Sequence, residues 1–213
     1  LIFASEVLAS GLEELGLDLE TRARRRLQDY AALLAEWNRA FNLVARADVP
    51  RLLERHLLDS LSVWRLLEGE NAADMGSGAG LPGIPLAIAT EARRWTLIER
   101  SHRKARFLRE ARRQLGLDNV EVVQSDVADV APEQFDTVVA RAFGPAETTV
   151  RAGARLCRPG GAILLMSGRP GAFRPESTLG FERAERRRVW VPILNRAHVV
   201  QRFVKTPARD SSR

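Results

Sequence analysis

Cysteine occurs once in this chain, at Cys157, and histidine three times. An intramolecular disulfide is therefore excluded, and a Cys/His metal cluster has too few ligands, so no metal is expected. No apolar run approaches the roughly 20 residues of a membrane-spanning helix. Leu1 to Ala9 carries Glu6 and no basic flank, unlike a secretory signal. The expectation is a cytoplasmic protein without a membrane partner, and Leu1 in place of an initiator methionine suggests trimming or missing residues. Aromatic side chains are scarce at 6%, with a single tyrosine. Acidic residues are outnumbered, 27 Asp+Glu against 33 Lys+Arg, the sequence pI is about 10.7, and nearly all the positive charge is arginine. Guanidinium forks match phosphate oxygens, so this balance fits a phosphate-rich partner as well as a solvated surface.

What is present fits one domain of ordinary size: 213 residues, 45% hydrophobic and 28% charged. Its chemistry gathers at Ala73-Asp74-Met75-Gly76-Ser77-Gly78-Ala79-Gly80-Leu81-Pro82-Gly83. A short apolar lead-in ending in a carboxylate, a glycine-rich turn and a run of helix formers read as strand, turn and helix, with backbone free to approach a ligand. A glycine-rich surface loop is the plainer reading. Against it stands Glu99, about 20 residues on, at the end of Trp95-Thr96-Leu97-Ile98, where a carboxylate can accept from both hydroxyls of a ribose. A nucleoside-containing cofactor follows. Gly78 to Gly83 is a literal GxGxxG, the dinucleotide fingerprint, so an NAD-dependent oxidoreductase stays open. Read from Asp74 through Gly76, Gly78 and Gly80, the same stretch suits S-adenosylmethionine, with Asp74 taking up the cationic amino-acid end.

The chain before this stretch reads as helical. Leu27, Tyr30, Leu34, Trp37 and Phe41 recur at three- and four-residue steps, and a second helix starts near Asp48 as N-cap, with Pro50 in its first turn. It places His56 and Ser60 on one face, with His56 either catalytic or structural. From residue 71 the pattern becomes short apolar runs alternating with helices, with strands expected at 71–75, 94–98, 119–123, 135–140, 161–166, 187–193 and 198–204. The helix from Ser101 to Leu115 turns Ala105, Leu108, Ala111 and Leu115 inward and Arg103, Arg106 and Arg113 outward, a solvated or a phosphate-contacting face. With residues 22–26, Arg51 and Arg55, these arginines form the expected basic surface. Asp126, Val127 and Ala128 follow the third strand at the ligand-binding edge, Asp126 as acceptor for an adenine amino group. The fourth strand delivers Arg141 and Phe143 to that edge. Arg141 either serves the site or pairs with a carboxylate such as Asp136 or Glu147. Residues 156–161 turn tightly into the fifth strand, and the last two strands form a hairpin near Asn195. A dinucleotide fold would repeat its first half, whereas this chain ends in a hairpin. The fold class expected is therefore α/β: a seven-stranded Rossmann-like class I S-adenosylmethionine-dependent methyltransferase core at 69–205, an N-terminal helical extension at 1–68, and a flexible tail at 206–213.

Trp37-Asn38-Arg39-Ala40-Phe41-Asn42-Leu43, Arg55-His56-Leu57-Leu58-Asp59-Ser60, Asp74 to Pro85, Arg103-Lys104-Ala105-Arg106-Phe107-Leu108 and Arg141-Ala142-Phe143 together resemble one family. It is that of the bacterial 16S ribosomal RNA guanine-N7 methyltransferases known as RsmG or GidB. The resemblance implies methyl transfer from S-adenosyl-L-methionine to small-subunit ribosomal RNA, by a monomer. It implies cofactor contacts at Gly76, Leu81, Val127, Ala128 and Arg141, to which the residue reading adds Asp74, Ser77, Gly78, Gly80, Glu99 and Asp126. Arg55, His56, Arg103, Arg106 and Phe143 are the expected RNA contacts. Arg169 joins them, standing near where relatives carry a lysine before glycine. The residues also constrain the chemistry. Ala140-Arg141-Ala142-Phe143-Gly144-Pro145 replaces the Asn/Asp-Pro-Pro-aromatic loop of amino-methylating enzymes. Cys157 lies in a turn, away from any role as the nucleophile of a pyrimidine C5 enzyme. Guanine N7 needs neither device, since its lone pair carries no proton. A small-molecule methyltransferase on the same fold is the alternative.

Overall fold

The structure, a computed structural model, describes residues 5–167 and 181–206. The short apolar runs form one seven-stranded sheet: β1 (Asn71–Met75), β2 (Arg94–Ile98), β3 (Val120–Val123), β4 (Phe135–Arg141), β5 (Cys157–Ser167), β6 (Phe181–Val191) and β7 (Arg196–Lys205). Their order is β3-β2-β1-β4-β5-β7-β6. The first five are parallel, and β7 runs antiparallel to both β5 and β6. Val138, Val139 and Ala140 are fully buried, because crossover helices cover both faces of a parallel sheet. This is the class I methyltransferase arrangement expected.

Helices α1 (Ser5–Glu14), α2 (Thr21–Phe41), α4 (Gly83–Ala89) and α5 (His102–Leu115) share a core with one face of the sheet. In it Leu27, Tyr30 and Leu34 meet Ile84, Leu97, Phe107, Leu108, Val139 and Leu164. Helix α6 (Ala146–Leu156) covers the other face, where Val150 and Leu156 pack with Ala73, Val138, Ala140 and Ile163. Side chains alternate across a strand, so Asp74 shares the first face with Ala72, and Arg141 shares it with Val139.

Three expectations are corrected. The second N-terminal helix is broken into a 3-10 stretch (Arg46–Arg51), a π-helical turn (Leu53–Leu58) and the single turn α3 (Asp59–Leu61). Pro50 sits inside the first piece and has no N–H to continue an α-helical ladder. Asp48 makes no capping bond, and its carboxylate instead meets Arg55 and His56. The turn expected before the fifth strand is an irregularity inside β5: Phe135 pairs with Cys157, and register resumes only at Thr137 with Ala162. Finally, β6 starts at Phe181 rather than 187, a charged stretch suited to the edge of a sheet. Residues 207–213, expected as a tail, lie outside the described residues. Among those described, no helix is long and apolar enough to cross a membrane.

Candidate functional site

The glycine-rich stretch leaves β1 at the C-terminal edge of the sheet, between β2 and β4, where open α/β sheets hold ligands. The loop is pinned throughout. The N–H groups of Gly76 and Ser77 donate to the Ile98 carbonyl at 2.9 and 3.0 Å. Gly78 N–H donates to Glu99 Oε2 at 2.9 Å, Ser77 Oγ to the Asp74 carbonyl at 2.8 Å, and the Tyr30 hydroxyl to the Ala79 carbonyl at 2.6 Å. The glycines have different tasks. A Cβ on Gly76 would stand 2.5 Å from the Phe143 ring and one on Gly80 2.4 Å from Ile84, so both make room for protein. At Gly78, φ is +58°, and a Cβ would meet only the Gly76 carbonyl oxygen, at 3.8 Å. That position faces open space.

Beside the loop, with Gly76 in its wall, is a cleft of about 410 Å³, within the roughly 300–1,000 Å³ of small-molecule sites. Gly76, Ile98 and Glu99 form one wall, Ser125, Asp126 and Val127 another, and Ala142, Phe143 and Thr148 a third, with Arg100 and Lys104 at its margin. Glu99 is buried. Its oxygens accept from Gly78 N–H and, at 2.8 Å, from Ser101 N–H, which leaves lone pairs for further donors. Asp126 Oδ1 caps the following turn by accepting from Ala128 N–H at 3.0 Å, and Oδ2 lies 3.8 Å from Arg100. Ala128 is thus fixed by Asp126, outside the cleft wall. Ser77 and Leu81 are buried supports of the loop.

Asp74 is 1% exposed. Oδ2 accepts from Gly83 N–H at 2.9 Å, while Oδ1 has no hydrogen-bond partner among the described residues. Burial, tempered by the Gly83 N–H, the nearby Ser77 hydroxyl and the charge of Arg141, pushes the carboxyl up to about 7. A buried, half-satisfied carboxylate at a strand end is an acceptor waiting for a donor, and a cationic one would favour its charged form.

Arg141 departs from expectation. It does not line the cleft but lies on the sheet face beneath the N-terminal helices. Its NH2 is 2.7 Å from His56 Nδ1 and its NH1 3.3 Å from Asp59 Oδ2. Asp136 and Glu147, the partners considered for it, are taken by Arg158 and Arg151. His56 is 8% exposed, too buried to serve as an RNA contact. Burial and the Arg141 charge push its imidazole down, so it is neutral near pH 7. Asp59 Oδ1 lies 2.9 Å from His198 Nδ1. Burial alone would raise the Asp59 carboxyl, but the His198 hydrogen bond and the charge of Arg141 outweigh it and hold the group low.

The basic surface is smaller than composition suggests. Arg26 is buried, bonded to the Gly116 carbonyl and paired with Glu91. Arg24 pairs with Asp18, Arg55 with Asp48, and Arg113 with Glu110. Arg103 and Arg106 make no ion pair among the described residues and extend over the rings of Phe41 and Trp37, at 6.0 and 5.9 Å. Arg169 lies outside the described residues. Sequence reasoning missed Asp59, His198 and Tyr30. Asp59 carried a signal, three residues after His56 and so on the same side of the chain; Tyr30 read only as a core position.

A family model described as rRNA small subunit methyltransferase G (GidB) matches residues 23–173. The chain is 48% identical over 163 residues to the ribosomal RNA small subunit methyltransferase G of Alkalilimnicola ehrlichii, covering 76% of this chain and 74% of that one. It is 42% identical over 190 residues to the protein of that name from Chromohalobacter salexigens, covering 87% and 89%. The crystal structure of a SAM dependent methyltransferase from Aquifex aeolicus matches with a TM-score of 0.56 at 17% identity, over 76% of this chain and 96% of that one, a likeness of fold.

Proposed function

Because the chain belongs to the rRNA small subunit methyltransferase G family, we propose that it methylates N7 of a guanine in small-subunit ribosomal RNA. Membership makes it an S-adenosylmethionine-dependent ribosomal RNA methyltransferase, and neither NAD chemistry nor a small-molecule acceptor is favoured. The sheet agrees, since its far half ends in an antiparallel hairpin instead of repeating a nucleotide-binding unit.

The observation that carries the reading is the cleft at the end of β1. Open space over Gly78, the unpartnered buried oxygen of Asp74 and the spare lone pairs of Glu99 fit a ligand with a cationic amino-acid end and a ribose. When bound, S-adenosylmethionine supplies an electrophilic methyl group on a sulfonium. Asp74 would take the ammonium, the Gly76 and Gly78 backbone the chain beside it, Glu99 the ribose hydroxyls, and Asp126 with Val127 the adenine, Ala128 acting only by holding Asp126. Arg141 shares a sheet face with Asp74 and supports the amino-acid end through its positive charge. Guanine N7 has an in-plane lone pair and no proton, so no side chain must act as base. The protein's task is orientation, holding N7 within about 3–3.5 Å of the methyl carbon. Phe143, forming part of the cleft wall, is placed to support a stacked base. Arg103 and Arg106 on exposed α5 are the RNA contacts that the ion-pair pattern leaves available.

We read the acting unit as a monomer, and a ribosomal substrate supports action in the cytoplasm. We read residues 1–68 as an extension laid over the core of 69–205. Calorimetry with S-adenosylmethionine and with NAD, followed by transfer of labelled methyl to small-subunit RNA, tests the reading. Binding of NAD alone, or transfer to a small molecule and not to RNA, would overturn it.

A further inference from the structure

Arg141 stands at the C-terminal end of β4, yet its guanidinium is held by the segment that precedes the sheet. A guanidinium only donates. At 2.7 Å from Arg141 NH2, His56 Nδ1 must therefore be an acceptor, which places the ring proton on Nε2, 3.3 Å from Asp48 Oδ2. Asp59 adds an ion pair without a hydrogen bond, with Oδ2 3.3 Å from Arg141 NH1, while its Oδ1 lies 2.9 Å from His198 Nδ1 on β7. Both gripping residues are themselves fixed. Ser60 Oγ donates to the His56 carbonyl and Ser62 Oγ to the Asp59 carbonyl, each at 2.6 Å. The π-helical turn ends at Leu58, between the two gripping residues, and π-turns of this kind recur at functional sites. His56, Asp59 and Asp48 are all largely removed from water.

Resting on the reading of Arg141 as a site residue, we propose that His56 and Asp59 are positioning residues that clamp its guanidinium in one orientation. The segment before the sheet thereby fixes where the guanidinium charge stands on the sheet face it shares with Asp74, whose carboxyl it acts on. A long arginine side chain without such a clamp would sample many rotamers, and a misplacement of about 1 Å is enough to cost roughly a hundredfold in rate. The clamp differs from simple packing in one respect: it acts through Arg141, so its removal should matter only while Arg141 is present.

The test is a double-variant cycle in the full chain, with kcat and KM for S-adenosylmethionine measured separately and melting recorded for each variant. His56→Leu should lower kcat and raise KM for S-adenosylmethionine, together costing about ten- to a hundredfold in kcat/KM. His56→Asn, whose amide oxygen can replace Nδ1 as acceptor, should retain most of kcat. In an Arg141→Lys background, already slow because a point charge cannot span both partners, His56→Leu should cost nothing further. Nitrogen NMR of the cofactor-free protein should show His56 neutral with its proton on Nε2, and Arg141→Lys should perturb that signature. This readout stands even where a variant melts too low for kinetics. Equal losses in both backgrounds, or a charged His56 ring in the parent, would overturn the clamp. A defective Arg141→Lys beside a folded, fully active His56→Leu would overturn the clamp and leave the reading of Arg141 standing. Normal transfer by Arg141→Lys would remove both.

Discussion

If Asp74 receives the ammonium of S-adenosylmethionine, binding must release a proton from the protein. Burial pushes the Asp74 carboxyl from 3.8 to about 7, so in the free protein it is largely protonated in mildly acid solution. A cation beside Oδ1 favours the ionised form and returns the pKa toward its ordinary value. With about 7 in the free state and a value below 5 in the complex, Kd should fall about fiftyfold from pH 5 to pH 7. Above about pH 7.7 the gain should reverse, as an α-ammonium loses its own proton. At pH 6.5 binding should release about three-quarters of a proton, measured by calorimetry in buffers of differing ionisation enthalpy. Asp74→Asn should bind weakly and abolish both the acid limb and the proton release. The sign for stability is opposite. The folded pKa is raised, so the folded protein holds more protons than the unfolded chain between 3.8 and about 7. Asp74 therefore favours folding below that window, and the benefit is lost as pH rises through it. A Kd independent of pH from 5 to 7, with no proton released, would refute the placement of the ammonium at Asp74.

Gly78→Val should lose cofactor binding, because its side chain would fill the open space over the loop and a β-branched residue resists a φ of +58°; normal binding by the folded variant would displace the site. RNA affinity should fall with salt, with a log–log slope of about 0.7–0.9 per neutralised phosphate. Arg103→Ala and Arg106→Ala should each lower that slope by about one, whereas Arg113→Ala, already paired with Glu110, should not. Arg141→Ala should lower methyl transfer at least about tenfold. It should also lower the melting temperature somewhat, since a buried Asp59 would lose one of its partners while keeping His198 and Arg196. An unchanged melt would mean that the ion pair contributes nothing to stability.

The sheet was legible because each of its central strands is a short apolar run between breakers, and runs such as Val138-Val139-Ala140 have no alternative to burial in a parallel sheet. The cleft was legible for a related reason. Glycines, a carboxylate at one strand end and a second at the next mark a place where backbone must approach a ligand. Irregular backbone was not legible: nothing in Arg55 to Ser60 distinguishes a π-helical turn from an α-helix, and Pro50 alone warned of a break. Nor were the long-range pairings, since Arg141 finds His56 across 85 residues and Asp59 finds His198 across 139. Such contacts depend on which strand neighbours which, and residue types carry no record of that. The arginine excess misled because Arg26 finds Glu91 across 65 residues, while Arg24, Arg55 and Arg113 are taken by carboxylates nearby in the chain.

The most direct measurement is to incubate the protein with S-adenosylmethionine carrying a labelled methyl group and small-subunit particles lacking the modification, then digest the RNA to nucleosides. Label should appear in 7-methylguanosine alone, with an RNA backbone made cleavable at one position after borohydride and aniline treatment. Label in any other nucleoside, or none in RNA while a small molecule accepts it, would contradict methylation at guanine N7.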